Sequence, residues 1–197
     1  MPHGMLCWRF YNYGKPSGLS PYERVRKICN VPESKRKSKY QPKMVNTFVT
    51  SSSVTECAKN LDRLRLGKQR VEAYQLWRAL MGMTKGWTKH PATLMWTGHT
   101  CFLALYCNTM IDEWVSRGYK NTMQKLPCCK NPRPPWWWGW EPMMMSHRAS
   151  LNRKMPTYYS FDVGEYADWG YIWPSKVPKE LRKCESPPLE QVCAHLA

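Results

Sequence analysis

The sequence lacks any apolar run long enough to cross a membrane. No stretch of its 197 residues approaches the ~20 consecutive apolar side chains of a membrane-spanning helix. Residues 1–10 also lack the apolar core of a secretory signal. Nine cysteines, an odd number without repeating spacing, argue against a disulfide framework and are interpreted as reduced thiols. We therefore expect an intracellular protein that is neither secreted nor embedded in a membrane.

Several motifs of metal, phosphate and serine chemistry are also missing. The sequence has no Cys-x-x-Cys pair, glycine-rich phosphate loop, Gly-x-Ser-x-Gly or His-Glu-x-x-His. His99 and Cys101 are two positions apart, so a helix would point them to different faces, and the adjacent Cys128 and Cys129 are poorly spaced for joint zinc ligation. We expect no metal site.

Positive charge is what the sequence has in excess. Its 30 Lys and Arg against 14 Asp and Glu leave a net charge of +16, which favours a polyanionic partner, first of all nucleic acid. Residues 1–43 carry ten basic and two acidic side chains, residues 44–174 sixteen and nine, and residues 175–197 four and three. We interpret residues 1–43 as a flexible basic extension that attracts phosphate or serves in targeting, or that merely adds solubility. Residues 175–197 are interpreted as a tail.

Hydrophobic spacing predicts an all-α class for residues 44–174, with ten of the eleven tryptophans between residues 77 and 173. Ser53 and Glu56 have the spacing of a capping box, so a helix should begin at Val54. Gly67 is expected to interrupt the helical pattern. Further helices are predicted over residues 71–82, 93–117 and 143–154, with Gly118 as a C-terminal cap. The architecture is a compact small bundle with long aromatic and proline-rich loops.

The tryptophans of the loop over residues 125–140 leave two interpretations open. Trp136, Trp137, Trp138 and Trp140 could stack on unpaired bases or cover the core as a hydrophobic lid. We slightly favour the lid.

Residues 61–72 are the most informative segment. Eight basic and two acidic side chains lie between residues 59 and 89, and Lys68 and Glu72 share one helical face at i,i+4. A carboxylate among cations could supply acid–base or charge-stabilising chemistry at a phosphate-lined site, or form an ordinary surface ion pair. His90, and His147 with Arg148, could contact phosphate or make structural hydrogen bonds.

One ordered set of residues carries a family resemblance. Its members are Thr47-Phe48, Leu61-Asp62, the run from Arg65 to Glu72, Gly86-Trp87, His90-Pro91, Met95-Trp96, Glu113-Trp114, Arg117-Gly118-Tyr119, Ser146-His147-Arg148, Leu151, Lys154, Tyr158-Tyr159 and the run from Tyr171 to Pro174. As a set, these resemble the pyrimidine-dimer DNA glycosylases of the endonuclease V type over about residues 44–174.

The resemblance implies a helical DNA repair enzyme that binds lesion-containing double-stranded DNA, kinks it and flips out a base. The implied chemistry is N-glycosidic cleavage at a cyclobutane pyrimidine dimer, followed by strand scission at the abasic sugar. A free α-amine attacks C1′ to form a Schiff base, and a glutamate, matched by Glu72, assists. Val45 and Thr47 fall in the matching start of the domain. No cofactor is implied, and we expect a monomer.

The same resemblance, with the local sequence, marks the residues that we expect to bind DNA. These are Arg65, Arg70, His90, His147, Arg148 and Lys154.

The position of the matching start conflicts with this mechanism. It follows 43 other residues, and an internal peptide nitrogen has no free lone pair to attack a sugar. Translation from Met44 followed by its removal would free the Val45 amine, and proteolysis could expose an amine nearby. Lys68, crowded by other cations, could instead be the nucleophile. Otherwise the chain is a glycosylase without lyase activity, one that excises a different modified base, or a non-catalytic nucleic-acid-binding or structural protein that keeps the fold.

Overall fold

The structure, a computed structural model, describes residues 45–176. The predicted extension over residues 1–43 and most of the predicted tail lie outside the described residues. Within residues 45–176 there are five α-helices and no β-strand, which confirms the predicted all-α class. The helices are α1 Val54–Lys59, α2 Arg63–Leu80, α3 Pro91–Leu94, α4 Thr100–Ser116 and α5 Glu141–Lys154. Two 3-10 turns, Gly164–Tyr166 and Pro174–Lys176, follow.

The first helix begins as predicted, but the interruption between the first two helices lies before Gly67. The Ser53 hydroxyl accepts a hydrogen bond from the Glu56 N–H at the start of α1. α1 then ends at Lys59, and the Asp62 carboxylate caps α2 by accepting from the N–H groups of the second and third helical residues. The side chain of Asp62 therefore sets the break, which the spacing of apolar residues did not indicate.

Gly67 lies inside α2 rather than interrupting it, so the predicted interruption is wrong. Its place in the helix is explained by close packing, because a Cβ atom at this position would lie 3.0 Å from the ring of Trp114. The main helix–helix interface joins α2 to α4, which carries Trp114. A small residue thus lets these two helices approach each other.

The single helix predicted over residues 93–117 is also wrong, since two helices occupy this range. α3 ends at Leu94, and Gly98 takes a φ of +78° before α4 begins at Thr100. Gly98 allows the turn because a left-handed backbone carries little steric cost without a Cβ. At the other end, Gly118 follows α4 with a φ of +79°, as predicted for a C-terminal cap.

The long loop between α4 and α5 covers the core. Trp137 is 1% exposed, and its Nε1–H donates a 3.0 Å hydrogen bond to the Met95 carbonyl. Its ring packs edge-on against the buried Trp96. For Trp137 the structure confirms the lid. In residues 45–176 no helix is both long and apolar enough to cross a membrane.

The expectation that all cysteines are reduced is wrong for two of them. Cys101, in the first turn of α4, and Cys129, in the loop, form a disulfide with a Cα–Cα distance of 5.6 Å. The fold brings them together across 28 positions of sequence, a separation that matches no recognisable pattern. The buried Cys57 and Cys107 are thiols, and burial raises the pKa of Cys107 to about 12.

Arg117, just beyond α4, ties three segments together. Its guanidinium donates to the Leu61 carbonyl at 2.7 Å and to the Lys59 carbonyl at 2.9 Å, and it pairs with Glu113 at 2.7 Å. These carbonyls lie at the end of α1 and in the turn to α2, where the helical ladder leaves them unsatisfied. One side chain therefore fixes the α1–α2 turn against α4.

We expect Arg117→Ala to lower the free energy of unfolding by about 1.5–3 kcal/mol, since charged hydrogen bonds to partly buried carbonyls are lost. Lys125→Ala is the matched control, because its ion pair with Asp112 is 57% exposed on both sides and should contribute less than about 1 kcal/mol. Urea unfolding measures both. Equal losses in the two variants would contradict the assigned role of Arg117.

Candidate active site

Residues 45–50 run through the interior without forming a helix or strand, and all six are buried. Their backbone groups are paired by side chains instead. The Phe48 N–H donates to Gln69 Oε1 at 2.8 Å, and Gln69 Nε2 donates to the Asn46 carbonyl at 2.9 Å. Gln69 on α2 therefore binds the segment as a neighbouring strand would.

Glu72 stands one turn beyond Gln69 on the same side of α2. Its Oε2 accepts from Gln69 Nε2 at 3.2 Å and lies 3.4 Å from the backbone nitrogen of Asn46. Burial raises the pKa of Glu72, while the Asn46 N–H, Lys68 and Lys154 act in the opposite direction. The result is a half-buried carboxyl group that holds its proton more tightly than an exposed glutamate.

A cavity of about 340 Å³ opens beside Glu72. It is lined by Asn46, Phe48, Leu64, Arg65, Lys68, Glu72, Lys154 and Tyr171. Three cations therefore surround one carboxylate. Burial, together with Arg65 and Lys68, lowers the pKa of Lys154 against the opposing effect of Glu72. We call this cavity with its lining the carboxylate pocket; its balance of charge suits an anionic ligand.

The structure brings four of the sequence-predicted residues together in the carboxylate pocket, namely Glu72, Lys68, Arg65 and Lys154. Arg70 is not among them. Its guanidinium lies 4.0 Å above the ring of Trp114 and donates to Asn121 Oδ1 at 2.7 Å. Its contacts are those of a residue that holds the loop after α4.

His147 and Arg148 lie behind the pocket and bind the buried segment. His147 is 0% exposed, and its Nδ1 accepts from the Val49 N–H at 2.9 Å. Burial lowers the pKa of His147 to about 3, so the ring is neutral at physiological pH. Arg148 Nε donates to the Thr50 carbonyl at 2.7 Å. Both residues have the structural contacts that the sequence left as an alternative.

The remaining predicted residues also have internal partners. His90 caps α3 through Nδ1 and packs edge-on between Trp87 and Trp173. Thr47 is 0% exposed, and its hydroxyl accepts from Trp96 Nε1 at 3.0 Å. Val45 is 3% exposed at the start of the described chain.

Sequence reasoning did not identify three polar residues of the site. Gln69 stands inside the run from Arg65 to Glu72, and Asn46 stands between Val45 and Thr47, but nothing in their spacing distinguishes a buried amide from a surface one. Tyr171 comes from the distant end of the domain, and burial raises its pKa to about 12. In residues 45–176 no three His, Cys, Asp or Glu side chains are grouped so as to hold a metal ion.

The fold and the pocket define a class, an all-α domain with a cationic pocket around one buried carboxyl group. Residues 45–127 match the family model described as pyrimidine dimer DNA glycosylase. This segment is therefore similar to that family, in agreement with the resemblance found in the sequence. The match contains α1 to α4 and Glu72, whereas Lys154 and Tyr171 lie beyond it. No curated protein and no solved structure gives a significant match to the chain.

We expect Glu72→Gln to stabilise the fold more at pH 7 than at pH 4. Because burial raises the pKa of Glu72 above its ordinary value of 4.5, folding favours the protonated acid. The protonated Glu72 side chain therefore contributes its full stabilisation at pH values below 4.5, and this contribution is lost as the pH rises through the higher pKa of the folded state. Glutamine mimics the protonated form, so the gain in Tm should be a few degrees at pH 7 and smaller at pH 4. Thermal unfolding at both pH values tests this, and an equal gain would contradict it.

Proposed function

We propose that the protein is a DNA repair glycosylase that acts on cyclobutane pyrimidine dimers in double-stranded DNA and also cleaves the resulting abasic site. The observation that carries this proposal is the 3.4 Å contact between Glu72 Oε2 and the Asn46 backbone nitrogen inside a cationic pocket. It places an acid–base group beside a backbone nitrogen that chain cleavage before Asn46 would turn into the free amine that the implied lyase mechanism needs.

The position of this contact favours Asn46 as the source of the nucleophile. In the intact chain its nitrogen belongs to a peptide bond and cannot attack. Cleavage before Asn46 would turn it into an α-amine, whose reference pKa of about 7.7–8.0 leaves far more neutral amine at pH 7 than the value of about 10.4 for lysine. An amine at Val45 lies one residue further away, and Lys68 in the same pocket is the alternative that needs no processing.

The raised pKa of Glu72 suits proton transfer near neutral pH. As the amine nitrogen bonds to C1′, the bond from C1′ to the base breaks and its electron pair leaves with the base. Glu72 takes the proton that the amine loses and returns it to the departing base, so that its carboxylate is available again for the next step. After the sugar ring opens to the Schiff base, Glu72 accepts the C2′ proton, and the electrons of that C–H bond expel the 3′ phosphate. The same carboxyl group thus serves both steps.

The cations around Glu72 supply the proposed contacts to DNA. Arg65, Lys68 and Lys154 line the pocket and would contact the phosphates that flank an extruded nucleotide. Flipping costs a few kcal/mol and is cheaper at a damaged, poorly stacked step, which favours the lesion. We expect the protein to act where cellular or viral DNA is found.

Three chains separate the candidate amines: the full-length chain, one that starts at Val45 and one that starts at Asn46. With a dimer-containing duplex and borohydride, the Asn46 chain should give the most covalent protein–DNA product and the full-length chain none. Glu72→Gln in the Asn46 chain should keep DNA affinity while lowering cleavage by at least about 10²-fold.

Trapping by the full-length chain that Lys68→Ala abolishes would instead identify Lys68 as the nucleophile. If no chain traps or cleaves and binding shows no preference for the dimer, the enzymatic proposal is wrong. The non-catalytic alternative, which the peptide-bonded state of the Asn46 nitrogen favours, would then stand.

We expect Lys154→Gln to weaken binding to every DNA sequence similarly. The slope of log K against log salt should become shallower by about 0.9, since one phosphate contact is lost. Lys125→Gln is the control, because this exposed cation pairs with Asp112 and does not line the pocket. Fluorescence anisotropy across a salt series measures both slopes. Identical slopes in the two variants would remove Lys154 from the proposed DNA-binding surface.

A further inference from the structure

The Asn46 side chain is an unexplained feature of the carboxylate pocket. It is 3% exposed and lines the cavity, yet neither Oδ1 nor Nδ2 has a hydrogen-bond partner among residues 45–176. The Tyr171 hydroxyl lies near this amide. Burial raises the pKa of Tyr171, and Ser150 and the Asn46 amide partly offset that rise. The hydroxyl nevertheless makes no hydrogen bond of normal length and angle to Asn46.

Such an amide weakens the fold unless a ligand satisfies it. A buried donor and acceptor without partners retain their desolvation cost, and native structures leave few of them. The backbone groups of Asn46, in contrast to its side chain, both have partners, because the carbonyl accepts from Gln69 and the N–H faces Glu72. The fold thus holds the residue firmly in the lining of the pocket while its buried side-chain amide has no hydrogen-bond partner among residues 45–176.

We propose that the Asn46 carboxamide binds the pyrimidine whose glycosidic bond is cleaved, with Nδ2–H donating to carbonyl O2 and Oδ1 accepting from N3–H. This inference rests on the proposed function and assigns the residue that contacts the departing base. O2 is attached to C2, which neighbours the N1 atom of the broken bond. A side chain on the residue beside Glu72 therefore reaches the edge of the base nearest to C1′.

The hydrogen bond assists bond cleavage whichever nucleophile attacks C1′. As the C1′–N1 bond breaks, its electron pair moves onto the base, and much of the negative charge develops on O2. A donor aimed at that oxygen stabilises the departing anion more than the neutral base, which lowers the barrier. Glu72 holds the proton taken from the nucleophile and is available to return it to the released base.

The donor–acceptor pair also sets specificity. Thymine and uracil present an acceptor at O2 next to a donor at N3, which complements a carboxamide. Cytosine presents acceptors at both positions, so Oδ1 would face a second lone pair. The wild-type protein should prefer thymine over cytosine at the cleaved position by about tenfold, the discrimination typical of one bidentate contact.

The test uses the full-length protein and the chain that starts at Asn46, and it scores base loss by alkaline strand scission, which does not require lyase activity. Asn46→Ala should lower the rate of base loss from a thymine dimer by about 10²-fold, as removal of a transition-state donor does. It should also raise Tm by a few degrees, because two unsatisfied polar atoms leave the interior. Asn46→Asp should be slower still, since its charge opposes the anionic base. In Asn46→Ala the thymine preference should disappear.

Asn108→Ala is the matched control. That amide is satisfied in both directions by the Leu126 backbone, at 2.9 Å and 2.7 Å, so its loss should lower Tm and leave the rate unchanged. An active wild-type protein whose Asn46→Ala variant keeps both rate and thymine preference would overturn this inference alone. A wild-type protein that removes no base from any dimer would overturn the proposed function and this inference with it.

Discussion

The buried Gln69 amide is the interaction on which the site depends. Residues 45–50 form neither helix nor strand, and residues 45–176 contain no strand to pair with them, so their backbone groups would be unsatisfied in the interior without side-chain partners. Gln69 supplies them by binding Phe48 and Asn46, while the Tyr106 hydroxyl donates to Gln69 Oε1 at 2.8 Å and fixes the amide from α4. The remaining hydrogen bond of Gln69 reaches Glu72. One amide therefore positions both the backbone of Asn46 and the carboxyl group of Glu72.

Residues 45–50 are also held by side chains of α5. His147 accepts from Val49, and Arg148 donates to Thr50, so both helices that line the pocket also anchor the chain between them. A neutral histidine suits this position, because a charged ring could not accept the Val49 hydrogen bond. Two residues that the sequence marked as DNA ligands thus hold the segment beside Glu72, and the proposed contacts to DNA come from the cations that line the carboxylate pocket.

The sequence predicted much of this arrangement, and its failures have identifiable physical causes. Helical periodicity established the class, and the i,i+4 spacing of Lys68 and Glu72 placed the central pair on one face. The family resemblance grouped Arg70 with Lys154, whereas in the structure Arg70 packs on Trp114 and does not line the pocket, a difference that spacing along a helix does not show. Nor could it show the disulfide, whose cysteines meet only after the loop folds over the core. The spacing of residues in the sequence predicts which side chains share a helix face, whereas long-range packing decides which of these faces lines the pocket.

The energetic costs of this fold are concentrated in the carboxylate pocket. Burial opposes ionisation of Glu72, and the charges of Arg65, Lys68 and Arg153 disfavour the charged form of Lys154. Asn46 has two polar side-chain atoms without partners among the described residues. A phosphate backbone would neutralise the cations, and a base edge would satisfy the amide, so binding would stabilise the same groups that destabilise the unliganded fold. Glu72 differs, because loss of the surrounding positive charge to phosphate would raise its pKa further. Substrate binding would therefore make Glu72 a stronger base at the moment when the nucleophile must lose a proton.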